Sequence, residues 1–448
     1  MIYAMQCALP EKDKPAAEEI YLYDNQTNEV FDAAGEVVDF TEVKDWGSLP
    51  WPMKPRSPDF YSKEVPIRFK ERRLKVLKIQ LGMACNYHCS YCLQAAFRDK
   101  TPEFPSEIVV DSFFEKIDKA GITLAPDGKI ELWGGEPLVY WKTLVHLIPK
   151  LRAKWGPDVV IGMVTNGSLL TSAMVDFLMS YKIHVAISHD GPGFSLRNDV
   201  DPLTVPKTKM AWLYLLDRSI EAGIPMGFNV VLTKNNTDLR ALQAFFRDQF
   251  SPRAGFGIEG IVSYSGAESD GGRFTAEDAR KLDTSVFDVL LTEPELWPSL
   301  DEKVRDIIAR LVYRVPAEAM PGRCNNVNDR VLVTDLAGRI TGCQSWPASA
   351  FPVGNLSDYD GFCNDHYAHW KARTRCPHCL VLASCKGGCP QLTETAHQAC
   401  CENEFIFNMA LFGVAWYRLT GKILSSTMPV SVPDSVLENT KGSQEATP

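Results

Sequence analysis

The sequence has no long basic run and no apolar stretch of membrane-spanning length. Its formal net charge is −9, with 47 lysines and arginines against 56 acidic residues. Nucleic acids and anionic membranes attract clustered cations. The longest apolar run, residues 405–417, is shorter than the about 20 residues that a bilayer requires, and it contains Asn408. We therefore expect no nucleic-acid or membrane partner, and a buried helix at this run.

A secretion signal is also missing, because residues 1–15 do not combine a basic start with a long apolar stretch. The expected location is the cytoplasm, where thiols stay reduced. The chain nevertheless has 13 cysteines, and nine of them lie from Cys324 onward. We expect metal ligation rather than disulfides, and the uneven distribution predicts a separate metal-rich module in the C-terminal part.

The first cysteine group is Cys85, Cys89 and Cys92, directly after an apolar run. Closely spaced thiolates suit zinc or an iron–sulfur cluster. Structural zinc sites use four protein ligands, and no fourth cysteine lies nearby. A [4Fe–4S] cluster held by three cysteines leaves one iron free to bind a small molecule. A zinc knuckle or a set of buried thiols is the alternative.

Strand and helix patterns alternate after this group and predict a parallel sheet. The strand candidates are 75–81, 129–133, 159–164, 184–188, 226–232 and 256–262, and the helical patterns between them are 106–120, 141–154, 172–180, 207–222 and 237–250. Ligands bind at the carboxyl ends of such strands, and the cysteine loop follows the first one. Two connecting helices are predicted at 274–290 and 300–313.

The cysteine spacing, with Tyr91 before the third thiol, resembles the signature of the radical S-adenosylmethionine (radical SAM) enzymes. The resemblance implies a partial (β/α)6 TIM-type barrel. It also implies that Cys85, Cys89 and Cys92 hold a [4Fe–4S] cluster whose open iron chelates S-adenosylmethionine. Reductive cleavage of this cofactor then gives a 5′-deoxyadenosyl radical that abstracts hydrogen from a substrate.

Further segments at strand ends resemble cofactor-binding motifs of that family. Gly134, Gly135 and Glu136 match a motif that binds the amino group of S-adenosylmethionine, because glycines allow close approach and oxygens accept from an ammonium. The resemblance also implies cofactor contacts for residues at the ends of the next two strands and for the aromatic residue of the cysteine loop: Tyr91, Asn166, Ser188 and Arg197. Ordinary turn chemistry is the alternative for each polar residue.

The C-terminal cysteines resemble the SPASM domain, which holds auxiliary [4Fe–4S] clusters. The resemblance implies that one auxiliary cluster uses Cys324, Cys343 and Cys389. It assigns the other to Cys376, Cys379, Cys385 and either Cys400 or Cys401, of which we select Cys401. The remaining thiol is a spare or a hydrogen-atom donor, and we favour the spare. No cysteine lies between Cys324 and Cys343, so the first cluster lacks an obvious fourth ligand. Cys363 is one candidate, although a buried thiol is the simpler interpretation.

These patterns divide the chain into five parts. Residues 1–72 form an N-terminal extension, in which 19–23 and 29–40 predict a hairpin and 46–58 a proline-rich connector. The radical SAM core covers 73–270, the connecting helices 271–318 and the SPASM domain 319–424. The polar tail, 425–448, is predicted to be disordered.

The expected function is oxidative modification, most simply crosslinking, of a ribosomally made peptide, with a flavodoxin or ferredoxin as electron donor. Family members that mature sulfatases carry an aspartate base after the second module cysteine, whereas this chain has Gln344. An amide does not titrate as a carboxyl does, so sulfatase maturation is disfavoured. Peptide epimerisation is a further alternative. A non-catalytic zinc or iron–sulfur protein is the alternative from a different class.

Overall fold

The structure is a computed structural model that describes residues 1–9, 18–41, 71–98, 104–224, 226–262, 272–319, 322–361 and 369–430. The predicted connector at 46–58 and Cys363 lie outside these residues. Within them, no helix is long and apolar enough to cross a membrane.

The N-terminal segment forms three antiparallel strands, β1 (Ile2–Ala8), β2 (Glu18–Asp24) and β3 (Glu29–Phe31). Strand β1 buries every second side chain, Tyr3, Met5 and Cys7, which is the pattern of a sheet with one face on the core. The predicted hairpin is confirmed around the turn at 25–28. Its second strand ends at Phe31, so the prediction of a strand through residue 40 is wrong.

A parallel sheet forms the central part of the fold, and its six strands follow chain order. They are β4 (Arg73–Gln80), β5 (Thr123–Trp133), β6 (Val160–Thr165), β7 (Ile183–Ser188), β8 (Gly227–Leu232) and β9 (Gly255–Ile261). The intervening helices are α1 (Glu107–Lys119), α2 (Trp141–Trp155), α3 (Ser172–Ser180), α4 (Pro206–Ala222) and α5 (Leu239–Gln249). All eleven predicted elements are confirmed, with ends shifted by a few residues.

Local capping residues explain where several helices begin. The Asp238 carboxylate accepts from the Ala241 amide at 2.9 Å at the start of α5. Proline at the first position of α4 costs no helical hydrogen bond. Thr275 and Asp278 form a reciprocal capping box before α6 (Ala276–Thr292), which is followed by α7 (Pro298–Val312). The two connecting helices are thus confirmed.

The C-terminal part adds strands to both sheets. Strand β10 (Val331–Asp335) pairs parallel with β4 and is followed by the short β11 (Arg339–Ile340) and β12 (Gly354–Asn355). After α8 (Leu382–Cys385), the long α9 (Glu394–Thr420) includes the predicted buried helix. The chain then returns to the N-terminal sheet as β13 (Ile423–Val430), antiparallel to β1.

Strand β13 corrects the prediction that the chain is disordered from residue 425, because residues 425–430 belong to this strand. Residues 431–448 lie outside the described residues. One buried apolar cluster joins the N-terminal strands, the parallel sheet and α9, with Tyr23, Leu77 and Trp416 among its members. The five-part division made from the sequence stays a proposal, since packing is continuous across several of its borders.

Candidate functional site

The cysteine loop follows β4 at the carboxyl end of the parallel sheet. Its backbone is hydrogen-bonded to the residues that follow β5: the amides of Gly135 and Glu136 donate to the carbonyls of Gly82 and Ala84 at 2.9 and 2.8 Å. The Ala84 amide donates to the Tyr140 hydroxyl at 2.9 Å. The loop therefore has a fixed path set by its neighbour in the sheet.

The two glycines after β5 are required by this close backbone approach. A Cβ atom on Gly134 would lie 2.6 Å from the Gly82 carbonyl oxygen, and one on Gly135 would lie 2.3 Å from that of Ala84. Both distances are far inside van der Waals contact. The sequence interpretation attributed these glycines to close approach of a ligand. The approaching group in the structure is the cysteine loop itself.

Glu136 is buried and its carboxylate is already extensively hydrogen-bonded. It accepts from the amides of Leu138 at 2.9 Å and Asn166 at 2.7 Å, and from the Thr165 hydroxyl. Burial raises the pKa of Glu136, although these three donors oppose the shift. A carboxylate has about four acceptor positions, so one remains for a ligand. The predicted contact with an ammonium group stays a prediction.

Asn166 and Ser168, after β6, hold the cysteine loop from the side. The side-chain Nδ2 of Asn166 donates to Asn86 Oδ1 at 2.9 Å, and Asn86 Nδ2 donates to Ser168 Oγ at 2.8 Å. Asn86 directly follows Cys85, so these two contacts orient the first thiol. The contact of Asn166 with a cofactor stays a prediction beside this positioning role.

Arg197 forms a buried, bidentate ion pair with Asp190. Its Nε and Nη2 atoms donate to Asp190 Oδ2 and Oδ1, both at 2.8 Å, and the Tyr91 hydroxyl donates to Oδ2. Burial disfavours the charged guanidinium, but the Asp190 charge outweighs this and raises the Arg197 pKa. The predicted pairing of Arg197 with a cofactor carboxylate is therefore left with the two N–H groups of Nη1 and the second N–H of Nη2.

One cavity of about 370 Å³ opens at these strand ends. Its lining brings together all three thiols of the cysteine loop and all seven residues predicted to contact the cofactor: Cys85, Cys89, Cys92, Tyr91, Gly134, Gly135, Glu136, Asn166, Ser188 and Arg197. Their individual roles stay predictions. No single motif in the sequence could predict that segments from four strand ends converge on this cavity.

Three thiolate donors at one cavity are a donor set that suits an iron–sulfur cluster. Among the described residues, no three His, Cys, Asp or Glu side chains converge as the ligands of one metal ion do. Around a cubane each thiolate binds a different iron, so the sulfurs lie farther apart. Burial raises the pKa of Cys85, and that of Cys89 to about 11. Metal binding would therefore displace protons from these thiols.

The C-terminal cysteines form two neighbouring groups. Cys376 Sγ and Cys401 Sγ lie 3.7 and 3.5 Å from the Nε2 and Nδ1 atoms of His397, respectively. Cys376 also interacts electrostatically with Cys379 and Cys385. This grouping supports the selection of Cys401 as the partner of these three thiols.

The other group, Cys343 with Cys324 and Cys389, is likewise electrostatically coupled. These three cysteines line a second cavity of about 400 Å³ together with Cys385, Cys400 and Cys401. The predicted ligand sets are thus brought together in space, while their metal-binding roles stay predictions.

Two polar pairs between the cavities were not predicted. Arg323 pairs with Glu404, and both residues line both cavities. Lys78, on β4, donates to the Gln344 side chain and lies 3.4 Å from Glu131. Arg323 directly precedes Cys324 and Gln344 directly follows Cys343. These positions in the sequence could have marked both residues as part of the site. Their pairing partners lie too far away in the sequence to be identified from it.

The N-terminal hairpin also contributes to the cysteine module. The Gln26 side chain donates to the Pro377 carbonyl at 2.8 Å, and the Tyr3 hydroxyl donates to the carbonyl of His378. Pro377 and His378 lie between Cys376 and Cys379. No role for this hairpin was predicted, and its contacts support the loop between Cys376 and Cys379.

Comparison with known proteins finds a match to one domain family. Residues 79–245 match the model of the radical SAM superfamily, so the chain carries a radical SAM domain. The solved structure of native anSMEcpe with bound AdoMet superposes with a TM-score of 0.55 at 17% identity, covering 77% of this chain and 98% of that one. The predicted partial barrel is thereby confirmed. Radical SAM domains use a [4Fe–4S] cluster and S-adenosylmethionine.

Two relatives by sequence are more specific in name. A serine-type anaerobic sulfatase-maturating enzyme of Bacteroides thetaiotaomicron is 23% identical over 71% of this chain and 83% of its own length. The radical SAM cyclopropyl synthase TigE of Paramaledivibacter caminithermalis is 26% identical over 37% of each chain. The chain thus spans little more than a third of the synthase, while it spans most of the maturating enzyme.

Proposed function

We propose that this protein is a cytoplasmic radical SAM enzyme that oxidatively modifies, and in the simplest case crosslinks, a ribosomally synthesised peptide. The observation that carries the proposal is the single cavity at the strand ends, where three loop thiols meet seven predicted cofactor contacts. This cavity lies at the carboxyl ends of a parallel sheet, the position where α/β folds bind ligands.

In this proposal Cys85, Cys89 and Cys92 hold the [4Fe–4S] cluster. With that cluster and S-adenosylmethionine bound, the site would supply reductive cleavage to a hydrogen-abstracting 5′-deoxyadenosyl radical. The chain's own residues bind and orient: Glu136 has one acceptor position left for an ammonium, and Ser188 lines the same cavity as the loop thiols. The Arg197–Asp190 pair fixes the Tyr91 ring beside the second and third thiols.

The C-terminal cysteines would hold two auxiliary [4Fe–4S] clusters. Removing hydrogen atoms from a peptide leaves electrons that require an acceptor, and auxiliary clusters are acceptors of suitable chemical class. We assign Cys324, Cys343 and Cys389 to the first. Cys376, Cys379, Cys385 and Cys401 belong to the second. A flavodoxin or ferredoxin would supply the electron that starts the reaction.

A peptide substrate is supported by the maturating enzyme that resembles this chain over 71% of its length. Sulfatase maturation itself is disfavoured at Gln344. Its side-chain oxygen accepts from the Lys78 ammonium, and an amide cannot serve as a general base at neutral pH. Epimerisation remains the alternative within the enzyme class. A non-catalytic zinc or iron–sulfur protein remains the alternative outside it.

Product analysis tests the proposal. Anaerobically reconstituted protein with a strong reductant should convert S-adenosylmethionine to 5′-deoxyadenosine, and the triple variant C85A/C89A/C92A should form none. The matched control is Cys7→Ala, which removes a buried thiol from β1, remote from both cavities. Absence of product with the wild-type protein would overturn the enzyme assignment.

The peptide product separates the reactions within the class. Loss of a pair of hydrogens per modification indicates oxidative crosslinking. Uptake of solvent deuterium without net oxidation indicates epimerisation, and would overturn the crosslinking proposal while leaving the radical chemistry intact.

A further inference from the structure

The consecutive cysteines of α9 face different sides of the helix. Adjacent residues on an α-helix are rotated by about 100° around its axis. Cys401 lies on the side of His397, whose ring also contacts Cys376. This places Cys401 toward the second auxiliary group and leaves the adjacent side of the helix to Cys400.

Cys400 shares its side of the helix with Glu404, one turn further on. Glu404 pairs with Arg323, the residue directly before Cys324. Cys400 also lines the cavity that contains Cys324, Cys343 and Cys389, as do Cys385 and Cys401 of the second group. Its electrostatic neighbours are Glu404, the adjacent Cys401, Cys389 and Arg323, so the thiol is close to one member of the first auxiliary group.

We propose that Cys400 supplies the fourth thiolate of the first auxiliary cluster, beside Cys324, Cys343 and Cys389. This inference rests on the proposed function, because it presupposes auxiliary clusters. On ligation the thiol releases its proton to solvent and a sulfur–iron bond forms without change of oxidation state. Neighbouring cysteines that serve different clusters are known from two-cluster ferredoxins.

The assignment has a functional consequence. A first auxiliary cluster with four cysteine ligands has no open iron for a substrate, so its role is electron transfer alone. Cys400 is then neither a spare thiol nor a hydrogen-atom donor.

The test uses iron counting and EPR in the background C85A/C89A/C92A, which isolates the auxiliary clusters from the barrel cluster. This background should hold about eight irons per chain. Adding C400A should lower the count by about one iron after oxidation and produce the EPR signal of a [3Fe–4S] cluster. Adding C7A, the matched buried thiol, should change neither quantity.

Cys400→Ser covers the case in which C400A fails to fold. It should keep about eight irons through an oxygen ligand, with an altered spectrum of the reduced first cluster. Unchanged iron and spectra in both Cys400 variants would overturn the inference. A background without any auxiliary iron would also overturn it. If the wild-type protein failed to cleave S-adenosylmethionine, this result would instead overturn only the proposed function.

Discussion

The Asn25 side-chain amide donates to the main-chain carbonyl of Cys379 at 2.9 Å and to that of Pro377 at 3.1 Å. These bonds connect the first turn of the chain to a predicted cluster ligand 354 residues away in the sequence. Asn25 is fully buried. The N-terminal hairpin therefore has a structural role in shaping the loop between Cys376 and Cys379.

We expect Asn25→Ala to destabilise the protein by about 1–3 kcal/mol, because the Cys379 carbonyl loses its side-chain donor, whereas the Pro377 carbonyl keeps the one from Gln26. It should also speed the loss of iron to a chelator. Thermal unfolding and iron release measure the two effects. Glu36→Ala, an exposed change in the same segment, is the control. Equal iron release by the two variants would contradict the supporting role of the hairpin.

The bidentate pair of Arg197 and Asp190 leads to a second prediction. Arg197→Met leaves the fully buried Asp190 carboxylate uncompensated, which costs about 3–5 kcal/mol. The matched control is Arg247→Met, since Arg247 pairs with Asp248 at the surface and exposed ion pairs contribute little to stability. Denaturant unfolding of the metal-free proteins compares them. Similar free energies of unfolding would show that the buried pair is not structural.

Close packing after β5 gives a third prediction. Gly135→Ala places a Cβ atom 2.3 Å from the Ala84 carbonyl oxygen and must displace the cysteine loop. We expect the iron content of reconstituted protein to fall from about twelve to about eight per chain, because only the barrel cluster is lost. Gly255→Ala, where no atom lies within 4 Å of the new Cβ, should retain all its iron. Full iron loading of Gly135→Ala would refute this account of the glycine.

His369 makes stability depend on pH. Burial, with repulsion from Lys371, lowers its pKa from 6.5 to about 4. Between these two pKa values the unfolded chain binds more protons than the folded chain. The stability contributed by neutral His369 is therefore fully present above the unfolded-state pKa and is lost as the pH falls toward the folded-state pKa. His369→Gln should therefore reduce the fall in Tm between about pH 7.5 and about pH 5. An identical fall in wild type and variant would contradict the assignment.

The strand–helix alternation was predictable because burial periodicity is a local signal. The pairing of β10 with β4 was not, since residues 331–335 are buried throughout and their local sequence does not identify a partner strand. The largely exposed strand β13 was missed for a related reason. Its partner β1 lies at the opposite end of the sequence, and an edge strand carries little apolar patterning.

Residue types at the site were predictable, whereas their partners were not. The sequence identified Gly135 and Arg197, but only the fold reveals that the Ala84 carbonyl and the Asp190 carboxylate occupy the space beside them. Likewise, the doubled cysteine pair suggested one spare thiol. The rotation of successive residues around α9 is what separates the environments of Cys400 and Cys401.

The most direct test of the central claim is the EPR spectrum of the reduced protein with and without S-adenosylmethionine. The account predicts that the cofactor changes the signal of a [4Fe–4S] cluster in wild type, and that C85A/C89A/C92A lacks both that signal and the change. A spectrum unaffected by S-adenosylmethionine, or zinc in place of iron at the three loop thiols, would contradict it.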